Sequence, residues 1–408
     1  MIFDSLSLNL YLTIFLILTS TTTATVKPAN VKHGNYTIVK GFFKHTDDPS
    51  THHDYKDNLG LNDNTTWSEL KTELDKLNSQ SPSNTTYKLL YLGRHAQGWH
   101  NIAQEFYGDA YGCYYALRNG NGTVYWGPDP YLTPKGIEQA SNNSVLLKSL
   151  IQDEFPLPQA FYVSPFSRCA DTMNHTWFDL VFRQGYAKPI FKESLRETID
   201  CGTAEHRRTK SYLQQRYPSY EFETGFSEFD LLYTNPLYNG TGKVETQNGM
   251  YWRAKSFLDD LFSSEDASIV SVTAHGVIDT VMTKVVGIEV GLGFDEAGIV
   301  PLLVKCVVDL NDKGDQPIDT SIAPEPFWND FHTCGDQVSY TTLPSSVATA
   351  TLTGRVGKAV STASGHDDVT ATSSSTTSQT SSANASLGRQ VPKDFTYYLS
   401  LLLFLFNW

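Results

Sequence analysis

The sequence predicts an α/β domain, a three-layer α/β/α sandwich with a mostly parallel central sheet. Short apolar runs bounded by turn residues recur along the chain, segments with helix-start signals separate them, and charged residues gather just past the runs. A hydrophobic content of 40%, with 22 Tyr and 22 Phe, supplies a large core and excludes a wholly disordered or collagen-like chain.

The first run, 88–92 (KLLYL), lies between Asn/Thr residues and Gly93 and reads as a buried strand. A helix follows from Pro134, with Thr133 as its cap, Pro at the first helical position and apolar spacing continuing to Leu150. The spacing predicts a second strand over 159–164, a helix over 168–182, a third strand over 268–273 and a helix over 277–285. The last strand, 300–308, carries Pro301 near its start, which suits an edge or strand-opening position. No internal repeat is present, and residues 25–340 are expected to form one domain.

In such sheets ligands bind beyond the C-terminal ends of the strands. The residues at those places are Gly93-Arg94-His95, Pro165-Phe166-Ser167-Arg168 and Ala274-His275-Gly276, so two histidines and two arginines should meet on one rim. A formal charge of −13 argues against a nucleic-acid partner, which would need clustered Lys and Arg. Any phosphate chemistry must be local.

The ordered set Leu92-Gly-Arg-His-Ala-Gln-Gly-Trp-His-Asn101, Ser164-Pro-Phe-Ser-Arg168, Leu195-Arg-Glu197 and Thr273-Ala-His-Gly276 resembles the histidine phosphatase superfamily, also called phosphoglycerate mutase-like. Within it, the resemblance is to a fungal branch of secreted and GPI-anchored members, and it covers about Phe42 to Val308. It implies that His95 is a nucleophile forming a phosphohistidine, that Arg94 and Arg168 bind phosphate, and that His275 completes the pocket. Asn101 and Gln97 would donate to the same oxygens, and Glu197 would be the general acid. That acid role requires a raised pKa, whereas an ion pair with Arg196 or Arg207 would lower it. A solvated helix face is expected for Arg207 and Arg208. His100 could point away from the site. Ala96 departs from the Gly that many members carry, adding a methyl group where backbone approaches phosphate.

The chemistry fits these residue types. A phosphomonoester is a dianion, guanidinium groups neutralise its oxygens, and a neutral imidazole can then attack phosphorus in line. The resemblance implies no metal and no cofactor; His52-His53-Asp54 reads as a loop. The partner that the resemblance implies is a small-molecule phosphomonoester. Three functions remain open: a phosphatase, a phosphomutase using the same intermediate, and a catalytically silent surface or wall protein. Trp99, Tyr107, Tyr111 and Trp126 fit either a substrate mouth or core packing.

Both ends read as targeting segments. Residues 1–24 match a secretory signal, with an apolar stretch too short to span a bilayer and small residues ending at Ala24. Residues 341–385 are rich in Ser, Thr and Ala and suit an O-glycosylated stalk. Residues 386–408 end in an apolar tail behind a polar spacer, matching a GPI-attachment signal with Asn384 as the attachment residue. Sequons at Asn35, Asn64, Asn84, Asn121, Asn142, Asn174 and Asn239 agree with a secreted, cell-surface glycoprotein held to membrane or wall by a lipid anchor alone. Five cysteines without CxxC spacing disfavour zinc, leave at least one thiol unpaired within the chain and permit two disulfides.

Overall fold

The structure, a computed structural model, describes residues 31–51, 58–236, 240–309 and 328–330. The signal, stalk and anchor segments lie outside the described residues, as do Asn239, Asn384 and residues 52–57.

Seven strands form the central sheet: β1 (Gly34–Ile38), β2 (Thr85–Arg94), β3 (Ala160–Val163), β4 (Ile190–Phe191), β5 (Glu221–Phe222), β7 (Ile269–Ala274) and β8 (Ile299–Val308). A separate antiparallel pair joins β6 (Lys243–Glu245) to β9 (Trp328–Asp330). The order in the large sheet is β1-β8-β2-β7-β3-β4-β5. β8 is antiparallel to both neighbours, and the pairings from β2 through β7 and β3 to β5 are parallel.

Burial on both faces explains why β2 is apolar rather than alternating. Leu89 and Tyr91 pack with the helices Trp67–Gln80, Pro134–Gln152 and Ser167–Trp177. Leu90 and Leu92, on the opposite pleat, pack with Gln247–Ser264 and Gly276–Val285. Helices on both faces give the three-layer sandwich.

Thr133 caps its helix as expected, accepting from the Gly136 amide, with Pro134 next in the chain. The helix expected to reach 182 stops at Trp177; the chain then turns so that Phe182 meets Phe161 at 4.9 Å, edge to face. Tertiary packing there overrides helix continuation. Pro301 lies in an interior strand but beyond the end of β1, whose last partner is Val304. Its missing N–H therefore faces no strand, and its carbonyl accepts from His45 Nε2 at 2.8 Å.

Cys169, Cys201 and Cys306 are buried free thiols, so the two-disulfide framework allowed by the cysteine count does not form. Asn35, Asn64, Asn121 and Asn142 are exposed, whereas Asn84 and Asn174 are half-buried, with Asn84 Nδ2 donating to the Val308 carbonyl. No helix among the described residues is long and apolar enough to cross a membrane.

Candidate active site

Because β2, β7 and β3 run parallel, their C-terminal ends share one rim. β2 delivers Arg94 and His95, β3 leads through Ser164 to Arg168, and β7 delivers His275. The His95 and His275 rings lie 5.0 Å apart, with 71° between their planes. His100 turns inward: it is buried, and its ring is 5.1 Å from that of His95. Arg94, His95 and His100 border a cavity of about 440 Å³ whose lining also includes Asn101, Tyr111 and Glu197, while His275 and Arg168 are buried and are not among its lining residues.

His95 Nδ1 lies 2.8 Å from the Ala96 carbonyl. A carbonyl can only accept, so Nδ1 carries the proton and Nε2 keeps its lone pair. Burial, then the Arg168 and Arg94 charges, hold this imidazole well below its usual range and therefore neutral. The Ala96 methyl group joins a small cluster with Leu132, Ala140 and Ala297, while its amide donates to Thr172 Oγ1 at 2.9 Å. The extra methyl is thus absorbed by packing.

His275 is fully buried. Arg168 Nη2 approaches its Nδ1 at 3.4 Å as a donor, so Nε2 bears the hydrogen and donates to Ser164 Oγ at 2.8 Å. Arg94 lines the cavity, and its Nη1 donates to the Phe294 carbonyl at 2.9 Å. Gly276 lets Arg94 cross the start of the last helix, because a Cβ there would lie 3.1 Å from Arg94 Cδ.

Arg168 departs from the expected open fork. Its Nη2 donates to both carboxylate oxygens of Glu205 at 3.0 and 2.9 Å, and its Nη1 donates to the Ala204 carbonyl at 2.9 Å. Glu205 lines the cavity, with Arg168 behind it. A phosphate oxygen reaching this guanidinium would have to share it with Glu205. Gln97 also departs from expectation: its Oε1 accepts from Thr133 Oγ1 at 2.9 Å, and it does not line the cavity. Asn101 does line it. Its Oδ1 accepts from the Gly98 amide at 2.9 Å, and Nδ2 has no partner among the described residues.

Glu197 reaches the cavity with Oε2 3.8 Å from His275 Nδ1. It pairs with neither arginine named as an alternative. Arg196 binds Asp230 at 2.6 Å, and Arg207, buried rather than solvated, binds Glu193 at 2.6 Å. Arg208 lies over the Tyr212 ring at 5.4 Å. Burial, then the charge of Glu205, pushes the Glu197 carboxyl up to about 7. The segment carrying it is clamped by buried Arg253, which donates to the carbonyls of Ser194, Arg196 and Glu197 and pairs with buried Glu245 at 2.6 Å.

Asp200 and Glu205 carry no motif signal, since the turns that place them lack periodicity, and Arg253 is a charged residue on the buried face of the helix Gln247–Ser264. Of the four aromatic residues singled out, Tyr111 lines the cavity. Trp126 is core, with Nε1 donating to the Tyr115 carbonyl, while Tyr107 stacks on Tyr115 at 3.6 Å and Trp99 packs beside them. Among the described residues, no group of three or more His, Cys, Asp or Glu is placed to hold a metal ion.

Parallel strands that bring two histidines and two arginines to one rim define an α/β protein of the phosphate-handling kind. Residues 90–299 match the histidine phosphatase superfamily (branch 1), and the chain belongs to that family. It is similar to a "Probable phosphoglycerate mutase" of Arthroderma benhamiae, 30% identical over 71% of this chain and 89% of the relative. It is also similar to "Phosphomutase-like protein 3" of Candida albicans, 32% identical over 62% of this chain and 74% of the relative.

Proposed function

We propose that the chain hydrolyses phosphomonoesters through a phosphohistidine on His95. His95 Nε2 attacks phosphorus, the ester P–O bond breaks, and the Glu197 carboxyl gives its proton to the departing alkoxide oxygen. Glu197, now a carboxylate, takes a proton from water as that water attacks the phosphohistidine; the N–P bond breaks and inorganic phosphate leaves. The observation that carries this reading is the neutral His95 imidazole, its Nδ1–H spent on the Ala96 carbonyl, bordering a cavity with Arg94 and Glu197. Purified protein should release phosphate from 4-nitrophenyl phosphate with inhibition by vanadate. Equal activity in His95→Ala would overturn the assignment.

The names of the two relatives favour a second reading, a phosphomutase that returns the group to a bound acceptor. The cavity lining opposes it for acidic acceptors, because Glu197, Asp200 and Glu205 face one arginine. Labelled substrate separates the two readings: label in inorganic phosphate supports hydrolysis, and label retained on an acceptor supports transfer. The end segments and exposed sequons support export to the cell surface on a lipid anchor at Asn384. Release of the protein from intact cells by a phosphatidylinositol-specific phospholipase tests that placement, and recovery from cytosol alone would refute it.

A further inference from the structure

We propose that Asp200 sets the substrate class of this site, selecting phosphomonoesters whose leaving alcohol carries a positive charge over those bearing a second acidic group. The inference rests on the hydrolase reading above.

Among the described residues, Arg94 is the lone Lys or Arg lining the cavity, and the reacting phosphoryl group claims it. A second anionic group on the substrate would find no further cation there. Of the three lining carboxylates, Glu205 is already answered by Arg168, and Glu197 stands beside His275. Asp200 differs from both. Its Oδ1 accepts from the Gly202 amide at 2.6 Å, which fixes the side chain, while Oδ2 has no partner among the described residues.

Tyr111 supplies an independent sign that a ligand belongs here. Its side chain lines the cavity at 8% exposure, and its hydroxyl is buried without a hydrogen-bond partner. A buried unpaired hydroxyl is expected to find its partner in a bound molecule or ordered water. Tyr111 also brings an aromatic ring to this lining, and such a ring suits an ammonium group beside a carboxylate. A volume of about 440 Å³ accommodates a phosphoryl group with a small amino alcohol.

The test compares kcat/KM of the purified full chain for phosphocholine, glycerol phosphate and 3-phosphoglycerate. The charged groups acting on Asp200 are Glu205, Glu197 and Arg196, with the Tyr111 hydroxyl and Cys201 thiol nearby. Burial and Glu205 raise its carboxyl to about 7. The assay therefore runs at about pH 8, where this group is ionised. Phosphocholine should exceed 3-phosphoglycerate by at least about tenfold, the scale of one charge–charge interaction in a partly solvated cavity. Asp200→Asn keeps the acceptor for Gly202 and should narrow that ratio several-fold. Equal rates for the three wild-type substrates, or a ratio unmoved in Asp200→Asn, would overturn this inference and leave the hydrolase intact. Should the variant fail to fold, the wild-type ratio still decides. No hydrolysis of any ester, 4-nitrophenyl phosphate included, would overturn the hydrolase reading itself.

Discussion

Replacing Glu197 by Gln removes a proton donor while keeping the side chain's shape. At its ordinary value of 4.5 a glutamate would be about 0.3% protonated at pH 7; raised to about 7, it is half protonated, a gain of roughly 150-fold in available acid. The donated proton matters most when the leaving alkoxide is a strong base. For glycerol phosphate, kcat/KM of Glu197→Gln should therefore fall by about 10²–10⁴, the usual range for a lost general acid. For 4-nitrophenyl phosphate, whose leaving group needs little protonation, the loss should stay within a few-fold. The wild-type rate on glycerol phosphate should also decline above about pH 7, approaching tenfold per unit, as the carboxyl loses its proton. Steady-state kcat/KM for both esters across this range is the assay. An equal loss on the two esters, or a wild-type profile that stays flat through pH 7, would refute the argument from burial to acid catalysis.

The same carboxyl links pH to stability. Between its unfolded value near 4.5 and its folded value of about 7, the folded chain holds a proton that the unfolded chain has released, so stability falls as pH rises through that window. Glu197→Gln should accordingly raise Tm at about pH 8 and have little effect at about pH 4, as thermal melts would record; an equal shift at both values would count against it. Gly136→Ala should destabilise by about 2 kcal/mol or more in denaturant titrations, because a Cβ would collide with the Gln97 carbonyl oxygen where the capped helix meets the catalytic loop. An unchanged midpoint would contradict that packing. Ser164→Ala leaves the buried His275 Nε2–H without its acceptor, so it should lower kcat about five-fold and cost about 1–3 kcal/mol in stability, recorded as a lower Tm. Arg253→Ala leaves Glu245 buried without its partner and frees the Glu197 segment, so it should cost about 3–5 kcal/mol in stability; a variant as stable as wild type would show that the clamp is dispensable.

What could be read from sequence was local and strong. Apolar runs such as 88–92 cannot sit in water, and a Thr-Pro helix start satisfies donors that would otherwise be orphaned, so β2 and the helix after Thr133 were both legible. The parallel rim followed from them, because motifs at successive strand ends can meet only if those strands run side by side. Pairs of residues such as β4 and β5 are too short to carry periodicity, and β1 is half-exposed and defined by pairing with β8. The helix Trp67–Gln80 carries its own local signal, the Thr66/Glu69 capping box, which lies outside the catalytic motifs. Side-chain partnerships were not legible. Gln97 stands within the motif, yet Thr133 takes its carbonyl oxygen; Glu205 comes to Arg168 from a turn 37 residues away.

The central claim is a covalent bond between phosphorus and one imidazole nitrogen. Protein mixed with substrate and quenched in alkali within the first turnovers, then mapped by peptide mass spectrometry, should carry one phosphoryl group on His95 and none in the His95→Ala protein. Turnover without any adduct, or an adduct on a different residue, would contradict the account.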